Sequence, residues 1–119
     1  MYDKMNEETI FSINEKLTQE LRRGVLVLAT LSQLKEARYG YGLIEQLTRR
    51  GLDIDQGTLY PLLRRLEEQG LLQSKWNIEG SHPRRYYAIS PKGEELLQAL
   101  AIEWRQLTQV MQDLLKEEG

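Results

Sequence analysis

The chain of 119 residues contains no cysteine. Disulfides, thiolate metal sites, cysteine nucleophiles and thiol redox sensing are excluded together. It contains a single histidine, His82, which leaves most metal and acid–base constellations without members. Long apolar runs are also missing. The longest, GVLVLATL at 24–31, falls well short of the roughly 20 residues that span a bilayer. The N-terminal MYDKMNEETIF carries acids and no apolar run after a basic start, so it does not read as a signal peptide. The expectation is a soluble cytoplasmic protein without metal, cofactor or membrane partner. An enzyme is rejected too. No nucleophile–base pair or phosphate loop is visible, and the adjacent acids Glu67–Glu68 and Glu94–Glu95 face different ways.

The length suggests one domain, with a core small enough that a dimer interface would be a natural supplement. The formal net charge of −2 does not advertise a nucleic-acid binder, but its distribution says more. Residues 39–92 hold eight Lys/Arg against six Asp/Glu, while residues 93–119 hold two against six. A locally basic surface can engage phosphate on an acidic protein, because the Debye length in physiological salt is only about 8–10 Å.

The hydrophobic pattern orders the elements. Ile10, Ile13, Leu17 and Leu21 are spaced as on a helix and lead into the 24–31 run, giving one long helix, or two joined near Asn14, to about Leu34. Residues 1–8 read as frayed, and 34–38 as a polar connection. A second helix follows YGYG, with Leu43, Ile44 and Leu47 inward and Gly51 in a left-handed cap. Asp55 is a plausible N-cap for a third helix from Gln56 to about Gln69. Then the period changes to alternation. Leu72, Trp76 and Ile78 share one side of a first strand, EGSHP at 79–83 turns, and RRYYAIS returns as a second. Ser90 and Pro91 open a last helix. Its apolar residues Leu97, Leu100, Trp104, Leu107, Met111 and Leu114 are spaced as a heptad seam. The architecture is mainly α with a small β-hairpin: a winged helix-turn-helix over residues 1–90 and a dimerisation helix over 91–119.

Within that order the third helix carries the chemistry. Leu59, Leu62, Leu63 and Leu66 fall at i, i+3, i+4 and i+7, and Pro61 interrupts their run. The expected result is one helix with a bent or loosened first turn. Tyr60, Pro61 and Arg64 lie opposite the leucines, with Gln56, Thr58 and Arg65 flanking. In isolation this is an amphipathic helix with a solvated face. In a helix-turn-helix it is the element that enters the major groove. Gln56 can pair an adenine edge, Thr58 can touch a thymine methyl, and Arg64 can reach a guanine or a phosphate. Tyr39 can offer its hydroxyl to a phosphate at the mouth of the second helix, while Tyr41 is expected in the core. On the wing, Arg84 and Arg85 point to opposite faces of their strand, so one of them is expected at DNA. Trp104 has two readings: an anchor of the dimer core, or a wall on which a flat aromatic ligand stacks.

The runs ELRRGVLVLATLSQLKEARYGYGLIEQL, GTLYPLLRRLEEQGLL and PRRYYAISPKGEELL together resemble the PadR family of bacterial transcriptional regulators. The resemblance extends over about residues 20–107. It implies a homodimeric repressor on a pseudo-palindromic operator in double-stranded DNA, nucleoid-associated when bound. It also implies release by a small aromatic effector. It matches Tyr39, Gln56, Thr58, Tyr60, Pro61 and Arg64 to the DNA-reading part and Arg84 and Arg85 to the wing. It sets the last helix against the partner's first, which brings Leu17 into the dimer interface, and puts Trp104 at the dimer pore. The alternative is a ligand-independent regulator or a protein-interaction module using the same seam.

Overall fold

The computed structural model describes the backbone of residues 2–116 and the side chains of residues 9–116. Met1 and the side chains of residues 2–8, within the stretch expected to fray, lie outside the described residues, and the helical backbone begins at Tyr2. Helix α1 (Tyr2–Ser32) is uninterrupted. At 1.5 Å per residue its 31 residues span about 46 Å.

After α1 the structure departs from expectation. Leu34, assigned to a polar connection, is fully buried. Its carbonyl accepts the Ile89 amide at 2.7 Å. A short strand β1 (Arg38–Tyr39) follows, invisible to a pattern argument because two residues show no alternation. Helix α2 (Gly40–Arg49) therefore starts inside YGYG rather than after it. That shift explains a second difference. With Gly40, Leu43 and Leu47 inward, Tyr41 turns away from the core and is 49% exposed.

Helix α2 ends as expected. Gly51 takes a φ of 99°, and the Leu52 amide reaches back to the Leu47 carbonyl at 2.8 Å. The same double closure ends helix α3 (Gln56–Glu68), with Gly70 at φ 81° and Leu71 donating to Leu66 at 2.9 Å. Both are left-handed caps that satisfy orphan carbonyls and that glycine adopts without steric cost.

Strands β2 (Leu72–Asn77) and β3 (Arg84–Ile89) form the hairpin, with Leu72 opposite Ile89 and Asn77 opposite Arg84. Strand β1 adds to the free side of β3, so the antiparallel sheet runs β1–β3–β2. Leu72 is buried, but Trp76 and Ile78 are exposed. Alternation correctly grouped Leu72 with Trp76, but the buried leucines of α3 do not extend beneath the outer half of the hairpin.

Helix α4 (Pro91–Leu114) is capped by Ser90, whose hydroxyl accepts the Gly93 amide at 3.0 Å and donates to the Gly70 carbonyl at 2.6 Å. Gly93 has a packing reason: a Cβ there would overlap the Leu71 carbonyl. The start of α4 is thereby pressed onto the end of α3. Leu97 is consequently buried in the chain's own core and Leu100 packs against that core. Of the heptad seam, only Trp104, Leu107, Met111 and Leu114 remain exposed.

The core is mostly leucine: Leu26, Leu31, Leu34, Leu43, Leu47, Leu59, Leu63 and Leu66 join with Tyr87 and Leu97. It occupies one end of the molecule. The radius of gyration is 18.1 Å, against about 13–14 Å for a closed domain of this length. The far ends of α1 and α4 account for the difference. Among the described residues, no helix is long and apolar enough to cross a membrane.

Candidate nucleic-acid interface

Helix α3 is fixed at both ends before any tertiary contact is counted. Asp55 caps its start, accepting the Thr58 amide at 2.8 Å. Hydrogen bonding from Thr58, side chain first and then amide, holds the Asp55 carboxyl below the usual aspartate range. Leu59, Leu62, Leu63 and Leu66 are buried. Pro61 interrupts neither the helix nor this buried face, and the helix starts at Gln56 as the N-cap implied. Proline has no N–H to offer the carbonyl one turn back, at Gly57. Gly57 is exposed, so water can satisfy that carbonyl at little cost.

The opposite face is presented to solvent. Gln56, Thr58, Pro61 and Arg64 are all exposed. Tyr60 is different. It is half-buried, and its ring lies so close to Gly40 that a Cβ at residue 40 would overlap it. Only part of that tyrosine is left for an external partner.

The wing and the start of α2 meet this face. Tyr39 is the N-cap residue of α2 but makes no side-chain cap bond, so the first amides of that helix are not capped by it. Its ring pairs with Tyr86 at 5.6 Å between centroids, and the Arg84 guanidinium lies 4.6 Å from its centroid. Such cation–π stacking holds a long flexible side chain in place without neutralising its charge. Tyr39, Tyr60, Arg64, Trp76, Arg84 and Arg85 together line a cleft of about 340 Å³. Six residues from sequence-distant elements thus converge between recognition helix and wing.

Arg85 follows the strand alternation to the other face from Arg84. Its guanidinium donates to Glu67 at 2.9 Å and to the Ser74 hydroxyl at 3.0 Å. The residue that pattern reasoning left out of the interface is Trp76, 62% exposed and lining the cleft. Its signal was present: a large aromatic among the polar neighbours of QSKWN. Arg22 was also left out. It reaches from α1 to the Asp53 carbonyl at 2.6 Å, tying the long helix to the turn before α3.

Away from this face, Leu17 on α1 is exposed, as are Trp104, Leu107, Met111 and Leu114 on α4. Among the described residues, no group of three His, Asp or Glu side chains is placed to hold a metal ion.

Two helices joined by a tight turn, a hairpin beside the second helix and a cationic cleft between them define a winged helix-turn-helix regulator. The comparisons agree. Residues 27–99 match the model of the transcriptional regulator PadR-like family. A crystal structure of a PadR family transcriptional regulator from Eggerthella lenta DSM 2243 superposes with a TM-score of 0.81 at 42% identity, covering 93% of this chain and 99% of that one. A PadR-like transcriptional regulator from Bacillus cereus superposes with a TM-score of 0.74 at 29% identity, covering 83% and 99%. A transcriptional regulator of Mycobacterium tuberculosis (strain ATCC 25618 / H37Rv) is 36% identical over 77 residues, 65% of this chain and 69% of that protein. The chain belongs to the PadR-like family of transcriptional regulators, a family of regulators and not of enzymes.

Proposed function

We propose that the protein is a homodimeric repressor that reads a pseudo-palindromic DNA operator with α3 and is released by a small aromatic ligand. The observation that carries the DNA reading is the two-sided character of α3. Four leucines lock one side into the core, and Gln56, Thr58, Pro61 and Arg64 are exposed on the other, beside Arg84 on the wing. Gln56 and Thr58, nearest the N-terminus, are placed to read base edges. Arg64 and Arg84 reach phosphate or guanine, the Tyr39 hydroxyl meets a phosphate, and Pro61 with the outer edge of Tyr60 keeps the first turns slim. In this reading the winged helix-turn-helix within residues 1–90 binds DNA, and the helix over 91–119, with Leu17 on the first helix, holds the dimer.

Surface area supports the dimer. The chain exposes 9240 Å², where a folded monomer of 13.9 kDa exposes about 6,700 Å². The excess is of the size that an obligate homodimer buries. Ile10, Phe11, Ile13, Leu17 and Leu21 on α1, and Trp104, Leu107, Val110, Met111 and Leu114 on α4, are among the chain's exposed apolar residues. In a dimer, the two α3 helices would address half-sites about 34–36 Å apart, one helical turn.

Trp104 is 46% exposed within that seam, which leaves an indole face for a planar effector. A gel shift with the DNA upstream of the protein's own coding sequence tests the core of the proposal. Retardation at low salt that falls steeply with added salt is expected. No retardation on that or any genomic fragment would sink it. The effector is tested by fluorescence in a Trp76→Phe background, so that only Trp104 reports. Quenching by planar aromatic compounds, lost when Trp104 is also changed to Phe, is expected. Silence across a broad panel would favour a ligand-independent regulator.

A further inference from the structure

Arg85 does not present itself to a passing phosphate. Strand alternation turns it under the hairpin, where a carboxylate and a hydroxyl take it up. Its Nη2 donates to Glu67 Oε1 at 2.9 Å and its Nε to Ser74 Oγ at 3.0 Å, while Ser74 Oγ donates to Glu67 Oε2 at 2.5 Å. The ring is closed: both carboxylate oxygens are used, and α3, β2 and β3 contribute one residue each. The Arg85 and Glu67 side chains are 38% and 27% exposed, so water screens the pair only partly. Arg84, one residue earlier, is exposed and stacked on Tyr39.

The position of this ring along the hairpin matters. Inward of it, Leu72 and Ile89 pack on the core, and Tyr87, directly across from Ser74, is buried there too. Level with Arg85, directly across the hairpin from it, Trp76 is exposed, and the turn beyond has no buried residue. The ring is thus the outermost fixed point between wing and recognition helix. Arg64 precedes Glu67 by three residues on α3, and Arg84 adjoins Arg85 on β3. Whatever holds Glu67 to Arg85 sets the separation of Arg64 and Arg84 across the cleft.

We propose that Glu67, Ser74 and Arg85 form a latch that sets the wing against the recognition helix, and that Arg85 is a positioning residue for DNA binding, not a phosphate contact. The proposal rests on the DNA-binding reading above. It separates sharply from the simpler idea that every arginine on the wing binds phosphate. By charge alone, Glu67→Gln removes a repulsive carboxylate from a DNA-facing surface and should tighten binding. A latch predicts the reverse.

The test uses the full chain and a duplex recovered by selection from a random library, with affinity measured across a salt series. Arg84→Ala should lower the slope of log affinity against log salt by about one. Arg85→Ala should weaken binding about tenfold with the slope unchanged, and Glu67→Gln should weaken it too. The exchanged pair Glu67→Arg with Arg85→Glu should recover most of the loss. In a Trp104→Phe background, Glu67→Gln should also shift Trp76 emission without DNA, since the Arg85 guanidinium lies 6.0 Å from that ring. A slope lowered by about one in Arg85→Ala, or tighter binding by Glu67→Gln, overturns the latch and leaves the DNA reading intact. Failure of the unaltered chain to bind any duplex at low salt overturns both. Glu67→Gln is close to isosteric, so the test survives if Arg85→Ala fails to fold.

Discussion

The two ends of this molecule solve the same problem differently. At one end, α2, α3, the sheet and the neighbouring parts of α1 and α4 bury their leucines against one another. At the other, α1 and α4 carry apolar side chains of equal size into open solvent. The first region is finished by its own chain. The second has apolar side chains of core type left exposed. Rigidity is thereby placed on the face proposed to read DNA, and the exposed apolar surface where the proposed second copy would pack. Arg22, bonded to the Asp53 carbonyl, is a direct link between them.

The contrast is sharpest for leucines. Leu63→Ala removes a fully buried side chain and should cost about 3 kcal/mol, read as a lower midpoint in urea at any protein concentration. A loss below about 1 kcal/mol would mean that the closed region is not closed. Leu107→Glu places a charge on the open surface. It should weaken self-association by about 2 kcal/mol or more, seen by sedimentation as a shift to monomer with the circular dichroism of the closed region retained. Unchanged association would remove α4 from the seam. Arg64→Ala tests the reading surface of the closed region. DNA affinity should fall about tenfold with little change in stability, and equal binding at all salt concentrations would take α3 off the DNA.

The smallest effect lies at the Asp55 cap. Its carboxyl is held below the ordinary range by Thr58, so the cap's contribution is fully present above the unfolded aspartate value, about 3.9. It is lost as pH falls through the lower folded value. Asp55→Asn should keep the cap but abolish this share of the pH dependence, measured as the change in urea midpoint between pH 5 and pH 3. An Asn variant with the full acid sensitivity would mean that the loss arises elsewhere.

What was legible in the sequence was what is local. The caps at Asp55 and Ser90, the glycine closures at 51 and 70, and the inward leucines of α3 each depend on residues within a turn or two. The misses depend on distance. Strand β1 exists because β3 lies beside it, and Leu34 is buried because Ile89 reaches its carbonyl. Tyr41 was misplaced because α2 begins at Gly40, three residues earlier than expected, which puts Tyr41 on the helix and turned away from the core. Glu67 and Arg85 stand 18 positions apart and share no period. The candidate site divides likewise. The exposed face of α3 followed from its buried one, whereas the half-buried state of Tyr60 needed the packed molecule.

The contact between Gly40 and Tyr60 limits how such a regulator can be retargeted. An engineer transplanting the reading residues of another regulator would treat the outward face of α3 as a blank page. Positions 56, 58, 61 and 64 fit that treatment. Position 60 does not, because it is half of a joint whose other half is a missing side chain on α2. A graft that alters it disturbs the seating of α3 against α2, so residues 40 and 60 must be exchanged as a pair or left alone.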